Sequence, residues 1–135
     1  WISNNDVSRL MGNIPAKQVM LISDSCYSGA FAKEQKVGEV AADAQAILNN
    51  RSVVIMSSGG EEPVSDEGRD GHSIFAWNLM NSLKTVDKFD PGSKLFSSIR
   101  KGVIEEFPQV PQYATVTSAG HVVGGDYLFE ARSYK

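Results

Sequence analysis

Two short apolar runs constrain this chain most. Gln18-Val19-Met20-Leu21-Ile22-Ser23 and Ser52-Val53-Val54-Ile55-Met56-Ser57 each hold four consecutive apolar residues between polar ones. Neither run alternates apolar with polar residues, so neither reads as a strand with one wet face. Both have the length of a strand, and the second is rich in β-branched residues. They read as buried strands of a parallel sheet covered on both faces. Between them Val40, Ala41, Ala44, Ile47 and Leu48 recur at i, i+1, i+4, i+7 and i+8, which predicts a helix over about 39–50.

The flanking segments supply more helices. Ser3 and Asp6 have the spacing of a capped helix start, Val7, Leu10, Met11 and Ile14 follow at helical spacing, and Gly12 with Pro15 ends the element. Ser73 can cap a helix carrying Ile74, Phe75, Trp77, Leu79, Met80 and Leu83, apolar nearly all round and so expected to be largely buried. Asp90-Pro91-Gly92 reads as a turn before a helix over about 93–106, with Leu95, Phe96, Ile99 and Val103 on one face. Residues 107–116 contain two prolines and should be extended without forming a central strand, and Gly125–Glu130 reads as a last short strand. "GGEEPVSDEGRDG", residues 59–71, reads as an acidic surface loop. Helix–strand–helix–strand–helix–helix–strand is an α/β pattern with a mainly parallel sheet. Three strands make a thin sheet for that class, so further strands of the domain are expected before Trp1.

The bulk properties narrow the function classes. A chain of 135 residues suits one compact domain. A net charge of −3 weighs against nucleic acid as a partner, and no apolar run reaches membrane-spanning length, so no membrane role is expected. The single Cys excludes an internal disulfide and a multi-Cys metal site, and fits a reducing, cytoplasmic location. No phosphate loop or dinucleotide-binding glycine run is present, so no cofactor is expected.

That one Cys, Cys26, stands where the first buried strand gives way to a Ser/Gly turn, in "ISDSCYSGAF". The carboxyl end of a parallel strand is where open α/β sheets place ligands and reacting groups. Backbone N–H groups of a turn there can stabilise a thiolate and a developing oxyanion. The competing reading is a buried structural Cys.

Asp24-Ser25-Cys26-Tyr27-Ser28-Gly29 resembles the nucleophile motif of the caspase-like cysteine peptidases, closest to the metacaspase and bacterial caspase-like branch. "VVIMSSGGEEPVSDEG" and "GHSIFAWNLMNSL" are similar to the strand, pocket loop and helix that follow the nucleophile in that family. "PQVPQYATVTSAGHVVGGDYLF" is similar to its closing segment, and "WISNNDVSRLMGNIPAKQVMLI" resembles the helix and strand that precede the nucleophile. The resemblance covers nearly the whole chain. It implies the caspase–hemoglobinase fold, with residues 1–135 as the C-terminal portion of a single peptidase domain.

The resemblance also implies roles. Cys26 matches the nucleophile of a Cys–His dyad, and its backbone N–H one oxyanion donor. The family's dyad His lies upstream of the Cys, whereas this chain has only His72 and His121, both downstream. The base is therefore expected on an N-terminal segment or companion chain outside these residues, the main partner besides a protein or peptide substrate. His72 is a candidate to line the cleft, and His121 to be a loop hydrogen-bonder or edge packing residue. Asp24 matches a residue that binds a basic P1 side chain, and strand alternation would turn it to the same face as Cys26; the alternative is that it caps the following turn. The acids of the 59–71 loop favour the same basic substrate by their field. Ser25, Ser65 and Asp66 resemble substrate-pocket positions. Cleavage after Arg or Lys is the resulting expectation, with self-cleavage at Lys33 or Lys36 as a corollary. Calcium activates many metacaspases, but its ligands there lie mostly upstream of the Cys, so no metal is expected. The alternative to an enzyme is a catalytically inactive caspase-fold interaction module.

Overall fold

A computed structural model describes residues 2–26, 43–59 and 68–132. Helix α1 (Asn4–Gly12) opens on a reciprocal cap: the Ser3 hydroxyl accepts from the Asp6 N–H, and the Asp6 carboxylate accepts from the Ser3 N–H. Strand β1 (Gln18–Cys26) follows, then helix α2 (Ala44–Asn49), capped by Asp43. Residues 39–42 of the longer helix expected there lie outside the described residues. Strand β2 (Ser52–Gly59) lies parallel to β1, as the two apolar runs require.

The hairpin β3 (Gly68–Arg69) and β4 (His72–Ser73) leads into α3 (Ile74–Leu83). Strand β5 (Phe89–Pro91), where a turn was expected, runs directly into α4 (Gly92–Glu106). Strand β6 (Gln112–Thr115) is followed by a short 3₁₀ turn (Thr117–Ala119) and by β7 (Leu128–Glu130).

The main sheet has the order β1-β2-β6, with β6 antiparallel to β2. Its third strand therefore comes from the proline-bearing segment rather than from residues 125–130. Pro111 immediately precedes β6, and β6 pairs only on its β2 side among the described residues, as suits a segment whose prolines interrupt a ladder. Strand β7 pairs instead with β5, in a two-stranded antiparallel sheet of its own.

Alternation along the strands divides the core. Val19, Val53 and Ile55 face α1 and the 3₁₀ turn, where Met11, Val116 and Ala119 are buried. Met56, with Met20 beside it, faces α3 and α4, where Ile74, Phe75, Leu95, Ile99 and Val103 are buried. The sheet is thus covered on both faces. Helix α3 is less buried than its composition implied, with Leu83 at 39% exposure; only Ile74 and Phe75 at its start are buried.

Candidate active site

Parallel pairing brings the carboxyl ends of β1 and β2 together. The ladder runs in step from Gln18 opposite Ser52 to Ser23 opposite Ser57, and the next pair is Cys26 with Gly59. Three steps along β1 answer two along β2, so β1 carries one extra residue between Ser23 and Cys26. Such a bulge bends a strand and re-aims its side chains. The regular alternation that would assign Asp24 and Cys26 to one face does not run through this step. Cys26 is described in its backbone, which closes β1. Ser65, Asp66, Lys33 and Lys36 lie outside the described residues.

Asp24 is exposed, and its Oδ2 accepts a hydrogen bond of 2.5 Å from the Ser73 hydroxyl. The same hydroxyl accepts from the Ala76 N–H at 3.0 Å, which makes Ser73 the N-cap of α3. A hydroxyl has one proton, so with its lone pair on Ala76 that proton is directed at Asp24. The positive end of the α3 dipole faces the same carboxylate.

The hairpin before α3 explains how Ser73 arrives there. Asp70 and Gly71 both have positive φ, 55° and 78°, the signature of a two-residue turn matched to strand twist. Gly68 pairs with Ser73 so closely that a Cβ on it would stand 1.9 Å from the His72 carbonyl oxygen. Only glycine fits that approach. Arg69 lies over the Trp77 ring, 4.8 Å from its centroid, and pairs with Glu106 at 2.8 Å, tying the hairpin to α3 and α4. The Asp-Gly pair was the available signal for this hairpin, and it sits inside a segment whose charge reads as loop.

The remaining candidates separate. The Ser25 hydroxyl pairs with that of Ser23 at 2.7 Å. His72 is exposed on β4, and its neighbour Ser73 is the residue that reaches Asp24. Nδ1 of His121 accepts from the Val53 N–H at 3.0 Å, completing the backbone hydrogen bonding of β2 just before its pairing with β6 begins. His121 is therefore a loop hydrogen-bonder. Burial holds its imidazole below the ordinary value, against an opposing pull from Asp126. Beside the bulge, Ser58 on β2 buries a hydroxyl with no partner among the described residues.

At the amino end of β1, away from Asp24, a buried acid fixes α4. Asp126 accepts from the Ser93 N–H at 3.0 Å and from the Tyr113 hydroxyl, while its carbonyl accepts from the Gln18 side chain. Burial, with the Asp126 carboxylate adjacent, pushes the Tyr113 hydroxyl far up, so it stays a donor. No local signal distinguishes Asp126 from the chain's other acids; apart from the Tyr127 N–H, its partners come from β1, α4 and β6. Among the described residues no cluster of three or more His, Cys, Asp or Glu could hold a metal, and no helix is long and apolar enough to cross a membrane.

The family model of the caspase domain matches residues 1–122. No curated protein and no solved structure matches. The matched span contains β1 with Cys26, β2, the hairpin, α3, α4 and β6. With its helices covering a mixed sheet, the chain belongs to the caspase domain family of cysteine peptidase-like hydrolases and has that family's α/β fold.

Proposed function

We propose that residues 1–135 form the C-terminal portion of a single caspase-like peptidase domain, a cysteine endopeptidase that cleaves after Arg or Lys. The observation that carries this reading is the Asp24 carboxylate. It stands exposed at the carboxyl end of β1, two positions before Cys26. A guanidinium or ammonium group is the complement of such a carboxylate, and an acidic P1 side chain would be repelled. The acids of residues 59–71, Asp66 among them, add a field of the same sign, and Ser65 a hydroxyl.

In this mechanism the Cys26 thiolate attacks the carbonyl carbon of the P1 residue, and the Cys26 N–H receives the developing oxyanion. The tetrahedral adduct collapses as the amine leaves with a proton from the imidazolium. Water, giving its proton to the imidazole, then attacks the thioester; collapse releases the acid and restores the thiol. The resemblance to the family implies a base upstream of the nucleophile, where this chain has no His, so the base is assigned to a segment or chain outside residues 1–135.

The test is cleavage of fluorogenic peptides ending in Arg, Lys or Asp by the complete protein, with Cys26→Ala beside it. Cleavage after Arg and Lys only, lost in Cys26→Ala, is expected. Cleavage after Asp would retain the peptidase and remove the role given to Asp24. No cleavage, with a His-bearing segment shown to be present, would favour an inactive interaction module.

A further inference from the structure

The contact between Asp24 and Ser73 joins residues 49 positions apart. Ser73 caps α3 through its lone pair on the Ala76 N–H, and that function leaves the direction of its proton open. Its proton goes to Asp24 Oδ2, which leaves Oδ1 without a partner among the described residues. A carboxylate held through one oxygen cannot rotate freely, so its second oxygen has a set direction. The anchor is itself rigid, because the hydroxyl is fixed by the helix start and the helix start by the Gly68 approach. Preorganised recognition of a charged side chain requires this kind of support, since a freely turning carboxylate loses rotamer freedom on binding.

We propose that Ser73 is a positioning residue for substrate selection: it aims the Asp24 carboxylate so that Oδ1 meets the basic P1 side chain. This inference rests on the assignment of Asp24 to the P1 pocket made above. It gives the cap of α3 a second role. The hairpin β3–β4 becomes a strut that sets the pocket, rather than only a connection between the acidic loop and α3.

Two variants separate positioning from capping. Ser73→Gly removes the hydroxyl at an N-cap where glycine is well tolerated, and Ser73→Thr keeps it. Two readouts separate this inference from the peptidase reading. The first is benzamidine, whose amidinium cation mimics the arginine side chain without a peptide backbone, titrated into the complete protein carrying Cys26→Ala so that nothing turns over. The second is cleavage of Arg-ending peptides by the protein with Cys26 intact. Removing one charge-assisted hydrogen bond should weaken benzamidine about tenfold in Ser73→Gly, with KM for Arg peptides rising by about the same factor and kcat little changed. Ser73→Thr should restore both.

Benzamidine binding that is unchanged in Ser73→Gly overturns the inference and leaves the peptidase reading standing. So does a lowered melting temperature with unchanged binding, which is the mark of a cap alone. Benzamidine binding that depends on Asp24 and Ser73 in a protein that cleaves nothing supports the inference and removes the peptidase reading. Absence of benzamidine binding overturns the inference whatever the peptides show.

Discussion

Strands β1 and β2 begin from nearly the same material and end as different things. Each carries four consecutive apolar residues, and they pair in parallel from Gln18 with Ser52 to Ser23 with Ser57. All eight residues of β2 are buried, whereas Ile22 on β1 is 40% exposed and Asp24 and Ser25 are exposed outright. The difference follows from position. Strand β2 has β1 on one edge and β6 on the other, while β1 has a single partner among the described residues. A strand held on both edges and both faces has no freedom to depart from its ladder. Strand β2 keeps its ladder along its length, whereas β1 takes in an extra residue directly before Cys26. Strand β2 is enclosed, and β1 opens at its carboxyl end, where Asp24 and the proposed nucleophile Cys26 lie.

If that division holds, changes at the end of β1 should alter activity and spare stability. Cys26→Ala should abolish peptide cleavage, since the nucleophile has no substitute in a chain with one Cys, and shift the melting temperature little. A large loss of melting temperature would assign Cys26 to the scaffold. Asp24→Asn should lower kcat/KM for Arg and Lys peptides about 100-fold, the expected loss when one member of a charge pair is neutralised. The Asp24→Asn protein should remain folded, because the carboxylate is exposed and Ser73 keeps its bond to Ala76. Equal activity of Asp24→Asn on Arg peptides would return Asp24 to the role of a turn cap.

Scaffold changes should do the reverse, and one pair of ladder partners sharpens the contrast. Ile22 and Met56 lie opposite each other in the β1–β2 ladder. Met56 is fully buried against the cluster containing Ile74, Phe75 and Ile99, so Met56→Ala should cost about 2–5 kcal/mol of stability. Ile22→Ala should cost about 1 kcal/mol, since a large part of that side chain is already in water. Urea midpoints of the two variants measure the difference. An equal loss at the two positions would erase the distinction between the strands.

What could be read from the sequence follows the same line. Buried runs announce themselves by composition, and both central strands, α1, α3 and α4 were legible from short-range pattern. The third sheet member was not. Residues 112–115 join β2 although prolines precede them, and residues 128–130, which read as a strand of the main sheet, pair with 89–91. A pattern shows that a segment is extended but not which edge it meets. The candidate site could be drawn up from the sequence in its parts and not in its assembly. Cys26 and Asp24 stood out by placement, and Ser73 stood out only as a cap. Their meeting depends on a hairpin whose Asp70-Gly71 turn is hidden among acids, and on a close approach at Gly68 that no local rule reveals. Asp126, which fixes the start of α4, is an ordinary aspartate until β1, α4 and β6 surround it.

The smallest expected effect lies on the scaffold side and depends on pH. His121 accepts the Val53 N–H through Nδ1, which requires that nitrogen to be unprotonated. Burial holds the folded-state imidazole below its ordinary value of 6.5. The unfolded chain therefore takes up the proton first as the pH falls, and protonation favours unfolding. The contribution of His121 is complete above about pH 6.5 and is lost as the pH falls through the lower folded value. Its size should be about 1 kcal/mol or less, the net worth of one hydrogen bond at a side chain partly screened by water. His121→Asn keeps an acceptor near the position of Nδ1 and does not titrate. Urea midpoints at pH 7.5 and 5.5 should show a larger acid loss for the parent than for His121→Asn. The same slope in both proteins would mean that β2 is held without this imidazole, and that its security comes wholly from the strands and helices around it.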